Sequence, residues 1–462
     1  MSNDDRVVNS RSSASVERPF GFLEAEGAAV HDVDRTSNTD TLVRIISAIY
    51  NPYMVADPFY GAIRRNLSTA LRREARHYPV VTLTGPRQAG KTTLCRQVFR
   101  GKPYLSFESL DMRERAHQDP RGLLAEFPHG AVFDEVQHVP ELLSYLQSEV
   151  DERPLPGRFI LTGSQQFALS ATVSQTLAGR TAVLELLPPS HDEVQRFTKP
   201  PQGLWPTVFA GSYPRIHDKH IAPTRWFGDY VATYVQRDVR QLLTVGDLRT
   251  FTTFLRLAAG RTAQELNLSS LGADVGVSYN TIRAWISVLE ASYLCVVVPA
   301  WHQSQRKRWV KAPKLHFLDS GLVCHLLGIE HADQLTTHPL RGAIFESWVA
   351  SEIWKSHTNR GLVPHVVHFR ENRGSEVDIG VLRGRSLTLV EAKSGATVNA
   401  DYFTSLRATR EELATTGQFD DIAAAVVFGG DSAQRRTEAA VVPWSAIAKR
   451  DWTRSDQASQ HT

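Results

Sequence analysis

Four short apolar runs alternate with helix-like stretches in the first half of the chain. The runs are VVTLTG, YLSFES, AVFDEV and RFILTGS. Apolar residues at consecutive positions over this length are typical of strands buried on both faces. Their alternation with helices predicts a parallel sheet with helices on both sides. This pattern ends near Pro188 and Pro189, and residues 59–77 before it have helical spacing and a basic face.

A second α/β pattern occupies the rest of the chain. Helical spacing runs from Trp226 to Leu243, and a further unit starts near Leu248 with LSSLGADVGVSYNTIRAWISVLEASYL, VVVPAW and KLHFLDSGL. From about Leu335 come a helical FESWVASEIWK and the strand-like runs VVHFREN, EVDIGVL, LTLVEAK and AAAVVF. The sequence therefore predicts an α/β protein of several units.

Composition and charge change this picture little. The net charge of the 462 residues is +3, so a nucleic-acid surface would have to be a local basic patch. The three cysteines form no CxxC pair, which argues against a disulfide framework or a zinc cluster and fits a reducing compartment. The first residues are polar and acidic, unlike a signal peptide. The stretch from Leu42 to Tyr50 is far shorter than the ~20 residues that span a bilayer, so we expect a cytoplasmic protein with no membrane segment.

A phosphate-binding motif of the form GxxxxGK[ST] joins the first apolar run to the helix after it. Backbone N–H groups of such a loop and the positive end of the following helix bind phosphate. Lys91 can reach the β- and γ-phosphates, and the Thr92 hydroxyl can bind Mg²⁺. The predicted nucleotide-binding residues are Gly85, Pro86, Arg87, Gln88, Ala89, Gly90, Lys91, Thr92 and Thr93.

Polar residues follow the later strands where catalysis would need them. Asp134 would hold Mg²⁺, and Glu135 would orient and activate the attacking water. Ser164 ends the next strand, where it can contact the γ-phosphate or the water, or can cap a helix. Arg180 and Arg237 are both candidates for an arginine that stabilises the transferring phosphoryl group, in the same chain or from a neighbouring subunit. These features predict a nucleoside triphosphatase that uses ATP and Mg²⁺.

The sequence resembles prokaryotic AAA-class ATPases that end in a domain of unknown function. The resemblance extends over about residues 60–445 and rests on GPRQAGKTTL, VFDEVQ, LTGSQ, LAGR followed by ELLP, GAIFES and EVDIG with LVEAKSG. It implies a three-layer AAA-like core, a winged-helix segment and a carboxy-terminal α/β domain similar to restriction endonucleases. One departure is Arg215, which follows Pro214 at a position where the family carries an acidic residue. The domains expected are a largely disordered tail (1–58), the ATPase core with a helical lid (59–245), the winged helix (246–334) and the nuclease-like domain (335–450).

A helix-turn-helix pattern supports the winged-helix assignment. A helix from Leu268 to Asp274 meets a turn containing Gly276, and Ser278 would cap a second helix from Tyr279 to Ala291. Tyr279, Asn280, Thr281 and Arg283 would face outward at its start and suit base edges and phosphates. A β-hairpin wing would carry Arg306, Lys307, Arg308 and Lys311 near its tip. The alternative is a winged helix used for packing or protein contacts.

Acidic residues near the carboxyl terminus resemble the PD-(D/E)xK nuclease pattern. Asp378 lies thirteen residues before Glu391, a spacing that fits a hairpin, and Lys393 follows on the same strand as Glu391. Glu346 matches the acid on the first helix of that pattern. Asp378, Glu391 and Glu346 would bind Mg²⁺ or Mn²⁺, and Lys393 would orient or activate a water. The alternative is a copy of the fold that cuts nothing; Arg370 and Arg373 could contact phosphate or be exposed.

Two main functions remain open from the sequence, beside a third as an ATP-dependent transcription regulator. The first is an ATPase that acts on DNA, with ATP-controlled metal-dependent cleavage as its most specific form. The second is an ATP-dependent signalling or regulatory switch, in which a non-cleaving nuclease-like domain binds a protein partner or DNA. A homo-oligomer is compatible with both, because the arginine that completes an ATPase site can come from a neighbouring subunit.

Overall fold

A parallel sheet organises the first half of the part of the chain that the structure describes. The computed structural model describes residues 62–164, 176–234, 248–301, 312–370 and 376–454. The strands of this sheet are β1 (Val80–Thr84), β2 (Tyr104–Ser106), β3 (Val132–Asp134), β4 (Phe159–Thr162) and β5 (Thr181–Glu185). Their order is β2-β3-β4-β1-β5, and every adjacent pair is parallel. The predicted parallel sheet is confirmed.

Helices cover both faces of this sheet. They are α1 (Ser68–Glu74), α2 (Lys91–Val98), α3 (Leu110–Gln118), α4 (Pro120–Ala125), α5 (Leu142–Glu152) and α6 (His191–Val194). Side chains of one strand alternate between two hydrophobic clusters, as the strand period of two requires. Val80 joins the cluster on one face, and Val81 joins the cluster on the other.

The helices between residues 204 and 234 pack away from this sheet. They are α7 (Leu204–Ala210), α8 (Pro214–Lys219) and α9 (Pro223–Tyr234). The sequence assigned them to the ATPase core as a helical lid, and this domain boundary stays a prediction. Val208 and Phe227 belong to a hydrophobic cluster shared with Phe254, Leu289 and Trp348, all from later in the chain.

A middle unit follows, with three helices and a three-stranded antiparallel sheet in its described part. Its elements are α10 (Leu248–Ala259), β6 (Gln264–Glu265), α11 (Leu268–Val275), α12 (Tyr279–Ala291), β7 (Cys295–Val298) and β8 (Lys314–Phe317), and α13 (Ser320–Leu326) follows. The strand order is β6-β8-β7. Gly276, with φ of 81°, ends α11, and the Ser278 side chain accepts a hydrogen bond from the Thr281 N–H at the start of α12. The predicted helix boundaries therefore follow from local caps.

The last unit has a second sheet. Its elements are α14 (Arg341–Thr358), β9 (Val366–Arg370), β10 (Glu376–Arg383), β11 (Ser386–Lys393), α15 (Thr404–Thr415), β12 (Asp421–Phe428), β13 (Gln434–Arg435) and β14 (Ala440–Pro443). The order is β13-β14-β12-β11-β10-β9. Strands β9, β10 and β11 are antiparallel neighbours, whereas β12 runs parallel to both β11 and β14.

The middle and last units are continuous in their packing. One hydrophobic cluster extends from Leu204 to Trp452, and the Trp301 N–H after β7 donates to the His368 carbonyl oxygen of β9 at 2.8 Å. Helix α14 lies between the units. No helix in the described ranges combines the length and apolar character that crossing a membrane requires.

Candidate functional site

The phosphate loop connects β1 to α2. A Cβ atom at Gly85 would lie 2.1 Å from the carbonyl oxygen of Leu186, so only glycine fits there. Gly90 has φ of 95° immediately before α2 begins at Lys91, a conformation that glycine adopts without strain. The loop therefore places its backbone at the amino end of α2, where an anion is stabilised by the helix dipole.

Lys91 is buried within the loop. Its Nζ donates hydrogen bonds to the carbonyl oxygens of Gly85 at 2.8 Å and Pro86 at 2.9 Å. Burial lowers the pKa of Lys91, and the nearby charges of Glu135 and Asp134 partly offset that effect. The lysine is a cation held inside the loop that would cradle the phosphates.

Asp134 ends β3 opposite the start of α2. It accepts hydrogen bonds from the hydroxyls of Thr92 at 2.9 Å, Tyr104 at 2.7 Å and Thr162. Burial raises the pKa of Asp134, and these hydrogen bonds partly oppose the rise. Hydroxyl and carboxylate oxygens are ligands that Mg²⁺ accepts, so Thr92 and Asp134 fit the ion. When bound, Mg²⁺ would neutralise charge on the phosphates.

Glu135 follows with a strained backbone. Its φ is 58°, a region that costs a non-glycine residue of order 1 kcal/mol and is most often found at functional sites. The Ser164 hydroxyl donates to Glu135 Oε2 at 3.0 Å, and the Gln137 side chain donates to the same oxygen. Burial would raise the pKa of Glu135, but the positive charge of Lys91 and these hydrogen bonds outweigh burial and lower it. The side chain is thus an ionised, oriented carboxylate beside the loop, as a base for water requires.

Arg65 supports the loop from behind, and the sequence analysis missed it. Its Nη1 donates to the Ala89 carbonyl oxygen at 2.8 Å and its Nη2 to the Leu187 carbonyl oxygen at 2.7 Å. The guanidinium also lies 3.1 Å from the fully buried Glu193 of α6. Because these partners are 24 to 128 residues away in the sequence, no local pattern reveals them.

Arg180 lies at the opposite end of the strands from the phosphate loop of its own chain. It precedes the first residue of β5, whereas the phosphate loop follows the last residue of the parallel neighbour β1. Five residues at about 3.3 Å each separate these edges by roughly 15 Å. Arg180 instead pairs with Asp151 at 2.8 Å. The prediction that it acts in the same chain is corrected; a role in a neighbouring subunit stays a prediction.

The predicted acids near the carboxyl terminus meet in one pocket. The antiparallel register of β10 and β11 pairs Ile379 with Val390, which places Asp378 beside Glu391. Asp378 Oδ2 accepts a hydrogen bond from the Ala392 N–H at 2.8 Å. Lys393 Nζ donates to Glu391 and lies 3.9 Å from Asp378. Burial would lower the pKa of Lys393, but these carboxylates raise it, so the lysine is a charged donor at neutral pH.

Lys314 and Glu376, both missed by the sequence analysis, also belong to this pocket. Lys314 of β8 contacts the predicted acid Glu346 of α14 at 2.9 Å and contacts Glu376 of β10 at 2.6 Å. Burial and the neighbouring charge of Asp378 raise the pKa of Glu346 to about 8, against the opposing charge of Lys314. Burial likewise raises the pKa of Glu391 to about 7.

The pocket has the ligand types of a metal site, but its ligand atoms are not as close together as in such a site. Its carboxylate oxygens suit Mg²⁺ or Mn²⁺, and Glu391 Oε2 is buried without a hydrogen-bond partner among the described residues. However, within the described ranges only Glu108, Glu135 and His138 bring three acidic or imidazole donors within 4.8 Å of one another. Glu346, Asp378 and Glu391 stand further apart, with Lys314 against two of them.

The candidate nucleic-acid residues are divided between described and undescribed segments. At the start of α12, Tyr279, Asn280 and Arg283 are exposed and Thr281 is half-buried. Arg370 pairs with Glu265 at 3.0 Å. The tail 1–58 and the side chains of Arg237, Arg306, Lys307, Arg308, Lys311 and Arg373 lie outside the described residues.

Comparisons with known proteins divide the chain in three. A family profile described as an AAA domain matches residues 77–195. Two domains of unknown function, DUF8612 and DUF4143, match residues 202–333 and 341–447. The AAA match ends before α7, in agreement with the packing of that helix.

Similar proteins are known from bacteria and archaea. Uncharacterized proteins of Mycobacterium tuberculosis and Mycobacterium bovis are each 29% identical over 330 residues, which is 70% of this chain and 72% of theirs. A Walker-type ATPase of Pyrococcus abyssi is a similar solved structure at 15% identity and a TM-score of 0.38, over 56% of this chain and 94% of that one. The AAA profile, together with the geometry at Lys91, Asp134 and Glu135, identifies this protein as an ATPase with an AAA-like P-loop domain.

Proposed function

We propose that this ATPase acts on DNA and that its last unit cleaves phosphodiester bonds in a metal-dependent reaction. The observation that carries the proposal is the placement of Asp378, Glu391 and Lys393 at one end of the adjacent strands β10 and β11. The element order α14, β9, β10, β11, α15 and β12, with β12 parallel to β11, resembles the restriction-endonuclease fold.

The residues of the pocket divide the chemistry among them. Asp378 and Glu391 would hold a divalent cation, which when bound polarises the phosphoryl group and lowers the pKa of water. Lys393, a charged donor already bonded to Glu391, would orient the attacking water and the negative phosphate. The side chains of Asp378 and Glu391 are 11% and 8% exposed, and this burial strengthens their interactions with charged groups.

The middle unit supports DNA as the substrate. Helices α11 and α12 join through the turn at Gly276, and the second helix presents Asn280 and Arg283 to solvent at its amino end. Together with the sheet β6-β8-β7, this resembles a winged helix, in which the second helix would enter the major groove. Phosphate contacts would then supply most of the affinity.

A second candidate function is an ATP-dependent switch with a non-cleaving carboxy-terminal domain. Lys314 favours it, because this buried ammonium of the chain itself pairs with Glu346 and Glu376. A pocket whose carboxylates pair with lysines of the same chain can be a structural copy of a nuclease site.

The test is incubation of the full chain with plasmid, linear and single-stranded DNA, with Mg²⁺ or Mn²⁺ and with or without ATP. Asp378→Asn and Lys91→Ala are compared with Asp401→Asn, which changes an exposed acid of the same unit. We expect cleavage by the wild type and by Asp401→Asn, none by Asp378→Asn, and loss of the ATP effect in Lys91→Ala. Cleavage that survives Asp378→Asn contradicts the assignment. Absence of cleavage in every arm, with DNA binding that Arg283→Ala weakens, favours the switch.

A further inference from the structure

Lys314 is a cation that the middle unit inserts into the acidic pocket of the last unit. Its backbone is held on both sides, since Lys314 of β8 lies opposite Glu265 of β6 and opposite Val298 of β7. Its side chain is only 3% exposed. A lysine this buried is rare unless it is paired, so its contacts define what it does.

The ammonium of Lys314 contacts three carboxylates from two elements of the last unit. Nζ lies 2.9 Å from Glu346, 2.6 Å from Glu376 and 3.8 Å from Asp378. Removing so many carboxylates from water is costly unless a cation accompanies them. Lys314 therefore supplies, within the pocket, the positive charge that a divalent metal ion would otherwise supply.

Lys314 and a divalent metal ion would compete for these carboxylates. A protonated lysine has only donors and no lone pair for a metal ion, and two cations that contact the same carboxylates repel each other. Lys314 contacts Glu346 and Asp378, two of the three predicted metal ligands. Among the described residues these two ligands and Glu391 do not all come within 4.8 Å of one another.

We propose that Lys314 is an internal competitor of the divalent metal and lowers the affinity of the pocket for that ion. The inference rests on the proposed metal site and adds a restraint on its metal loading.

The test measures Mn²⁺ binding to the full chain without nucleotide, by electron paramagnetic resonance of free Mn²⁺. Variants are Lys314→Met, the double variant Lys314→Met with Asp378→Asn, and Lys102→Met as a lysine control outside the pocket. We expect Lys314→Met to bind Mn²⁺ at least about tenfold more tightly than the wild type, since a competing buried charge is gone. The added affinity disappears in the double variant, and Lys102→Met matches the wild type.

A second variant tests the inference independently, in case Lys314→Met does not fold. Glu376→Gln removes the closest partner of Lys314 without changing a predicted metal ligand, so Mn²⁺ affinity should rise about twofold to fivefold as the lysine is held less firmly. Unchanged or weaker Mn²⁺ binding in both variants overturns the inference. Wild-type DNA cleavage with that result leaves the proposed nuclease standing; tighter Mn²⁺ binding without cleavage in any variant supports the inference and counts against the nuclease.

Discussion

Arg65 Nη1 donates a hydrogen bond to the carbonyl oxygen of Ala89, 2.8 Å away, inside the phosphate loop. The same guanidinium holds the Leu187 carbonyl oxygen after β5 and contacts Glu193 of α6. Arg65, which precedes α1, thus connects the loop to the segment that follows the edge strand β5. The shape of the nucleotide site depends on a side chain outside the phosphate-binding motif.

Replacing Arg65 with methionine should weaken ATP binding by about tenfold or more, because a charged hydrogen bond to the loop contributes roughly 1.5–3 kcal/mol. The substitution also leaves Glu193 buried without its cation, so the melting temperature should fall. Arg65→Lys keeps a charge near Glu193 but not the forked donor, and should recover stability better than ATP binding. Nucleotide titration and thermal unfolding test this, with the exposed Arg72→Met as control. Equal ATP affinity in the Arg65→Met and Arg72→Met variants would refute the role.

Glu135→Gln should reduce ATP turnover by at least about 100-fold, since it removes the carboxylate that would activate the attacking water. ATP binding should survive, because Lys91 and the loop are untouched. Ser164→Ala removes a donor to Glu135 and should lower turnover less than Glu135→Gln does. Steady-state turnover and binding of a non-hydrolysable analogue separate the two effects. Wild-type turnover in Glu135→Gln would mean that another group activates the water.

Glu352 and Lys355 form a buried ion pair in α14, 3.1 Å apart. Glu352 also accepts a hydrogen bond from the His191 N–H at the start of α6. Glu352→Gln leaves Lys355 buried without its anion and should lower the free energy of unfolding by roughly 3 kcal/mol. The double variant with Lys355→Met should lose less than the sum of the single changes. Urea unfolding measures these losses, with the exposed Glu411→Gln as control; strictly additive losses contradict the pairing.

Glu185 predicts a dependence of stability on pH. Burial raises the pKa of this carboxyl from 4.5 to about 7. The folded protein therefore keeps a proton that the unfolded chain releases, and the free energy of unfolding falls as pH rises through that window. Glu185→Gln should remove roughly 2 kcal/mol of this fall, less than the full shift because the side chain is only half-buried. Urea unfolding of both proteins at about pH 5 and about pH 8 tests it; parallel losses in the two proteins would exclude Glu185 as the source.

The sequence predicted those parts of the fold that depend on neighbouring residues. Strands β1, β3 and β4 carry consecutive buried residues, and the start of α12 depends on the cap at Ser278. Strand β5 was missed because it lies at the edge of its sheet and exposes Val183. Its pattern is therefore neither fully apolar nor typical of a buried strand.

The sites divide in the same way. The phosphate loop is one continuous motif, and the Asp378, Glu391 and Lys393 set follows from strand spacing. Arg65 and Lys314 could not be found, because each acts on partners brought near only by tertiary packing. In the sequence, Arg65 is one of two adjacent arginines, and Lys314 is a single lysine at the start of a strand. Only the burial of their side chains distinguishes them from surface cations.

Helix α14 gives the two sites a mechanical relationship. It carries Glu346 in the acidic pocket and, six residues later, Glu352 against the ATPase domain. At 1.5 Å per residue these positions are about 9 Å apart along one helix axis. An α-helix is stiff over such a length, so a shift of α6 that keeps its bond to Glu352 moves Glu346 by a comparable amount. The ATPase domain and the acidic pocket thus contact the same helix, and we expect a displacement of α6 to be transmitted to Glu346 along its axis.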